Sequence, residues 1–162
     1  MAADYTYVTY IECTPERLWR ALTDPELTAR FWGHSNVSDW QQGSRWEHRR
    51  LDGSEIADVT GTVLEAEPPS LLAITFEPPS HEPDGATSTV RFEIERYEDI
   101  VRLRVFHEGI DTEENLEAVK LGWPAVAANL KSLLETGHVL PQAPWEMDSH
   151  LRDAQLQKND RG

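Results

Sequence analysis

The fold is decided by residues 5–33, which read YTYVTYIECTPERLWRALTDPELTARFWG. The first part, Tyr5 to Cys13, is rich in β-branched and aromatic side chains and favours a strand. Two similar signals follow, Thr14-Pro15-Glu16 and Asp24-Pro25-Glu26. Each supplies a capping side chain, a proline suited to the first helical position and an acid in the first turn. The stretch therefore predicts one strand followed by two short helices.

The segment from Ser35 to Glu108 has the pattern of an antiparallel meander, with turn residues such as Asp52-Gly53 between apolar runs. Along its later strands, apolar side chains alternate with charged ones. That alternation predicts a sheet with one buried face and one solvent-exposed face. The side chains on the predicted inner face of the last two strands are Val90, Phe92, Ile94, Val101, Leu103, Val105 and His107.

A long helix is predicted after the sheet. Asp111 to Glu114 fits a capping box, and Gly137 fits a helix stop. Pro124 predicts a kink or a fresh start. Between them, Trp123, Val126, Ala127, Leu130, Leu133 and Leu134 repeat at helical spacing. The expected fold is α+β: a curved antiparallel sheet of six to seven strands, two short helices after the first strand, and a long C-terminal helix covering the sheet. The domain is expected over residues 1–140, with a mobile tail over residues 141–162.

Composition narrows the function classes. The chain has 162 residues and a net charge of −14, from 15 basic and 29 acidic residues. Such a balance argues against nucleic acids and anionic membranes as partners, because phosphates are bound by clustered lysine and arginine. Cys13 is the single cysteine, which excludes an intramolecular disulfide. The acidic start of the chain and the lack of long apolar runs predict a cytoplasmic protein.

The sequence resembles the helix-grip domains of the START-like (SRPBCC) superfamily, in the branch named after the activator of the Hsp90 ATPase. The resemblance covers about residues 4–137. Besides residues 5–33, its landmarks are Gly61-Thr62-Val63-Leu64-Glu65 followed by Pro68-Pro69 and Leu71 to Phe76, Val105 to Gly109, and Gly122-Trp123 followed by Asn129 to Glu135. Gln42-Gly43-Ser44 and Pro124 depart from the family pattern. The resemblance implies a cavity between sheet and long helix, which relatives use for lipids, polyketides, hormones and other apolar molecules.

Side chains expected to line that cavity lie on the second short helix, on the predicted inner face of the sheet and on the long helix. They are Trp32, Trp40, Trp46, His48, Val59, Val63, Val90, Phe92, Leu103, Val105, His107, Trp123, Ala127 and Leu130. The alternative is that the tryptophans fill the core and that His48 and His107 are buried, hydrogen-bonded residues. The six histidines show no metal-binding spacing, and no phosphate loop or nucleophile motif is present, so neither a metal nor a cofactor is expected.

Three functions remain open at this point. The first is binding of a small apolar or aromatic ligand without catalysis. The second is an enzyme of the polyketide cyclase or hydratase type, with His107 and His48 as acid–base groups. The third is an interaction module, either a chaperone cofactor or a homodimer. The cochaperone that gives the branch its name has an additional chaperone-binding domain, and this sequence predicts only one domain, so the ligand-binding function is preferred.

Overall fold

A seven-stranded antiparallel sheet in the order β1-β7-β6-β5-β4-β3-β2 is the framework of the molecule. The computed structural model describes residues 2–148, so residues 149–162 of the predicted tail lie outside the described residues. The strands are β1 (Ala3–Ile11), β2 (Ser35–Val37), β3 (Arg45–Arg49), β4 (Ala57–Glu67), β5 (Leu71–Phe76), β6 (Ser88–Tyr97) and β7 (Ile100–Ile110). The helices are α1 (Pro15–Thr23), α2 (Pro25–Trp32) and α3 (Glu113–Thr136), followed by a 3₁₀ turn at Pro144–Glu146. The predicted fold class is confirmed.

The two short helices begin as their capping residues predict. The Thr14 side chain accepts a hydrogen bond from the Arg17 backbone N–H at 3.2 Å, and the Asp24 side chain accepts one from Glu26 at 2.9 Å. Gly33 ends α2 in the left-handed region, with φ of 75°. These local signals place α1 and α2 immediately after β1, where their buried faces join the core.

Helix α3 is continuous from Glu113 to Thr136 and contains Pro124, so the alternative of a fresh start at that proline is wrong. A proline removes one backbone donor, and the apolar side chains on both sides of it keep the helix docked on the sheet. The capping residue also differs from the prediction. Thr112 accepts from the Asn115 backbone N–H at 3.1 Å, while Asp111 accepts from the Asn115 side-chain amide at 2.7 Å. Gly137 ends the helix as predicted, with φ of 88°.

The inner face of the sheet holds the core, as the alternation predicts. On β7, Val101, Leu103, Val105 and His107 are all at most 5% exposed. The first strand of the predicted meander is short, Ser35–Val37, and the last strand, β7, continues to Ile110, beyond the predicted end of the meander at Glu108. The extension of β7 matters because it carries the chain past His107 toward the start of α3.

One indole joins three strands near the centre of the sheet. The Trp46 Nε1–H on β3 donates to the Thr75 carbonyl oxygen on β5 at 2.8 Å, passing over Gly61 on β4. A Cβ atom at Gly61 would overlap both the Thr75 carbonyl oxygen and the Trp46 indole nitrogen. Only glycine therefore allows this close approach.

Candidate functional site

A cavity of about 400 Å³ lies between the N-terminal half of α3 and the end of the sheet where β5, β6 and β7 meet. Its walls are mostly apolar, and four polar side chains reach it: Ser88, His107, Asp111 and Asn115. The apolar lining residues are Trp32, Val59, Phe76, Ala86, Ile110, Ala118, Val119, Trp123 and Val126, together with Gly109 and Gly122. A concave apolar space with few polar groups is the usual form of a small-molecule site.

Aromatic rings form much of the wall, and most of them contact one another edge to face. The ring centroids of Trp32 and Trp123 are 5.3 Å apart, and those of Phe76 and His107 are also 5.3 Å apart. Phe76 and Trp123 are 6.2 Å apart, which links the two pairs. Rings at these separations hold each other in place, so the wall presents a fixed aromatic surface to whatever enters the cavity.

His107 is held by hydrogen bonds at both ring nitrogens. The Trp123 indole N–H lies 3.1 Å from Nδ1, and the Ser88 hydroxyl oxygen lies 2.8 Å from Nε2. An indole N–H can only donate, so Nδ1 must be the unprotonated nitrogen. The neutral ring then carries its proton on Nε2 and donates it to Ser88.

Burial keeps the His107 ring neutral. The residue is 5% exposed, and loss of hydration lowers its pKa from 6.5 to about 4. A second proton on Nδ1 would also face the Trp123 N–H, donor against donor. At neutral pH the ring is therefore a fixed hydrogen-bonding link between α3 and β6.

His48 is buried in a different place and does not line the cavity. Its Nδ1 is hydrogen-bonded to the Asn36 side-chain oxygen at 2.5 Å, and its ring stacks on His34 with centroids 4.0 Å apart. His34 in turn contacts the Asp58 carboxylate at 2.8 Å. Burial, with the His34 charge as the second cause, lowers the pKa of His48 to about 3. The arrangement stabilises the β2–β3–β4 edge of the sheet.

The residues expected to line a cavity separate into two groups. Trp32, Val59, His107 and Trp123 lie against the open space. The others lie away from it, in packed or hydrogen-bonded positions, and they are Trp40, Trp46, His48, Val63, Val90, Phe92, Leu103, Val105, Ala127 and Leu130. The reason is physical: period-2 alternation identifies the buried face, but side-chain volume decides where that face is filled.

Eleven of the fifteen lining residues were absent from the predicted set, and for two of them, Ser88 and Gly122, the sequence contained a usable signal. Ser88 shares the inner face of β6 with Val90 and Phe92, so continuing the alternation by one step toward the start of the strand would have found it. Gly122 is a glycine inside a helix, a position that costs stability and therefore signals a specific reason. A Cβ atom added at Gly122 would have no atom within 4 Å. The glycine thus borders empty space.

The mouth of the cavity is acidic. A neighbouring depression of about 560 Å³, formed largely by the loop between β5 and β6, shares Val59, Phe76 and Ser88 with the cavity. Its acidic lining residues are Asp58, Glu77, Glu82 and Asp84. Asp58 and Glu77 are paired with Arg50 and Arg45, respectively.

Over residues 2–148, no three or more histidine, cysteine or acidic side chains are grouped to hold a metal ion, and no helix there is long and apolar enough to cross a membrane.

Solved structures share this fold. A protein from Mesorhizobium loti is 28% identical, with a TM-score of 0.68, and the match covers 80% of this chain and 96% of that one. The Aha1 dimer from Colwellia psychrerythraea is 19% identical, with a TM-score of 0.68 and coverage of 83% and 98%. An HSP90 activator from Plasmodium falciparum is 21% identical, with a TM-score of 0.61 and coverage of 74% and 86%.

Among curated proteins, none matches this chain. The family model described as "Activator of Hsp90 ATPase homolog 1-like protein" matches residues 12–135, which include both short helices, the sheet from β2 to β7 and nearly all of α3. The match agrees with the START-like, SRPBCC-type fold of the structural neighbours. The chain therefore belongs to the family of Activator of Hsp90 ATPase homolog 1-like proteins.

Proposed function

We propose that this protein binds a small apolar or aromatic molecule, lipid-like or polyketide-like, in the cavity between the sheet and α3. The observation that carries the proposal is the cavity itself, whose volume of about 400 Å³ lies in the range of small-molecule sites. Its rigid aromatic wall suits a flat or apolar ligand, because burying apolar surface against such rings is favourable.

The glycine at position 122 also supports the proposal, because it lowers the stability of α3 without a packing reason. A glycine in a helix interior costs about 1 kcal/mol relative to alanine. At this position the extra methyl group of alanine would meet no neighbour, so packing does not explain the glycine. Space for a ligand explains it, because any larger side chain here would point into the cavity.

Binding without acid–base catalysis fits His107 better than the enzyme alternative. A general base needs a free lone pair toward its substrate. In His107 the Nδ1 lone pair accepts a hydrogen bond from the Trp123 N–H, and the Nε2–H donates a hydrogen bond to the Ser88 oxygen. His48 lies outside the cavity and is held by Asn36 and His34. We therefore assign both histidines a structural role.

Native mass spectrometry of the freshly purified full chain tests the proposal. We expect a bound small molecule with the wild-type protein and its loss in Gly122→Leu, whose side chain would enter the cavity. Ala128→Leu is the matched control, because it adds the same side chain to an exposed position of α3. Retention of the ligand by Gly122→Leu, or its equal loss from both variants, would contradict the assignment of the cavity.

A second candidate function, cofactor of an Hsp90-type chaperone, rests on the family description and on the Plasmodium falciparum neighbour. It predicts that adding this protein raises the ATPase rate of such a chaperone; no change in that rate would remove it. The homodimer and the cytoplasmic location expected from the sequence stay predictions. Sedimentation of the purified chain tests the homodimer directly.

A further inference from the structure

The hydrogen bonds around His107 have a fixed direction that ends at the cavity. Trp123 Nε1–H donates to His107 Nδ1 at 3.1 Å, and His107 Nε2–H donates to the Ser88 oxygen at 2.8 Å. The opposite direction is closed, because an indole nitrogen accepts no hydrogen bond. The Ser88 oxygen is therefore an acceptor toward His107.

The Ser88 hydroxyl proton remains free for another partner. In the part of the chain that the structure describes, the Ser88 side chain makes no hydrogen bond besides the one to His107. Ser88 lines the cavity. A ligand that displaces water from this wall must offer an acceptor to the hydroxyl, because a buried donor left without a partner is unfavourable.

Charge around the cavity selects against an anionic ligand. Among the described residues that line it there is no lysine or arginine, and the one charged side chain is Asp111. The adjoining depression adds Glu82 and Asp84, while its other two acids, Asp58 and Glu77, are paired with Arg50 and Arg45. A carboxylate brought here would lose its water without gaining a cationic partner.

We propose that the ligand is a neutral molecule with an aromatic or otherwise apolar body and one hydrogen-bond acceptor. This acceptor, such as a ketone or ester carbonyl oxygen, accepts a hydrogen bond from the Ser88 hydroxyl group. The proposal rests on the proposed function and adds the chemical class of the ligand. Trp123 and His107 are positioning residues in it, since they orient the Ser88 hydroxyl without touching the ligand's acceptor.

Three naphthalenes substituted at the same ring position test the proposal by NMR titration of the full chain. The substituents are acetyl, isopropenyl and carboxylate, which are planar and have equal numbers of non-hydrogen atoms. We expect the acetyl compound to bind about tenfold more tightly than the isopropenyl compound, the usual gain from one hydrogen bond. The carboxylate is expected to bind at least tenfold more weakly than the acetyl compound.

Two variants of β6 test whether the preference for the acetyl compound depends on the Ser88 hydroxyl group. Ser88→Ala removes the hydroxyl and is expected to abolish the preference for acetyl over isopropenyl. Thr89→Val is the control, because it removes a hydroxyl from the next residue, outside the cavity lining, and should leave the preference unchanged. If Ser88→Ala does not fold, long-range proton–nitrogen NMR of the wild-type protein tests the proposal instead, because it identifies the tautomer of His107. We expect the proton on Nε2. A proton on Nδ1 would overturn the proposal.

The outcomes separate this proposal from the proposed function. Equal binding of the acetyl and isopropenyl compounds would overturn the role of Ser88 and leave ligand binding in the cavity intact. Binding of the carboxylate as tightly as the acetyl compound would overturn the neutral class. Absence of binding by all three would overturn both the ligand class and the proposed function.

Discussion

The two halves of α3 cover two very different regions of the same sheet. Beyond Pro124, Leu130 lies with Phe31 and Leu103 around a void of only about 10 Å³. Before Pro124, it borders the cavity of about 400 Å³. The first region is filled by large apolar side chains, whereas in the second two small residues, Ala118 and Gly122, stand beside Trp123 and leave open space.

This difference shows how one fold separates stability from binding. Large side chains that interdigitate without voids supply most of the free energy of unfolding. Small side chains on the other half of the same helix contribute less and leave room. Changes in the packed region should therefore alter stability, while changes around the cavity should alter binding with smaller effects on stability.

The largest effect is expected from truncation in the packed region. Leu130→Ala should lower the free energy of unfolding by about 3 kcal/mol, because Leu130 is 2% exposed and its removal leaves a new void. Val119→Ala, at the cavity wall, should cost no more than about 1 kcal/mol, because its methyl groups already border open space. Urea denaturation of both variants measures the difference. Equal losses of unfolding free energy in the two variants would show that the two regions do not differ in their contribution to stability.

The next effect concerns pH and the cavity wall. The folded-state pKa of His107 is lowered to about 4, so between about pH 4 and 6.5 the unfolded chain binds a proton that the folded chain excludes. Stability should therefore fall as the pH drops, by about 2 kcal/mol from this residue between pH 7 and pH 5. The lowered pKa of His48 acts in the same direction.

His107→Gln isolates that contribution. The glutamine side chain can accept from Trp123 and donate to Ser88, but it does not titrate. Urea denaturation at pH 7 and pH 5 should show a loss of stability for the variant that is about 2 kcal/mol smaller than for the wild type. If both proteins lose the same amount, His107 is not the neutral buried link described above.

The smallest expected change in the free energy of unfolding is an increase. Gly122→Ala should raise the free energy of unfolding by up to about 1 kcal/mol, because alanine favours the helix and its methyl group meets no neighbour. The same variant should bind the acetyl naphthalene more weakly, because it narrows the cavity. Thermal unfolding and the NMR titration measure the two quantities. A destabilised variant would show that the glycine serves packing after all.

The sequence predicted the layers of this fold well and the cavity only in part. Alternation placed Trp46 and His48 on the inner face of β3, where both are buried. It could not show that Trp46 reaches Thr75 or that His48 stacks on His34, because those contacts depend on three-dimensional packing. The cavity depends on volume left unfilled, which residue periodicity does not encode. Gly122 was the one local signal of it.

The hydrogen bond from Trp46 to Thr75 across Gly61 has a consequence for the history of this chain. A larger residue at 61 would push the indole aside, and a smaller residue at 46 would leave the Thr75 carbonyl oxygen without its donor. Neither position gains from changing alone. Among descendants of a common ancestor, we therefore expect glycine 61 and tryptophan 46 to be inherited together or lost together, as a single character.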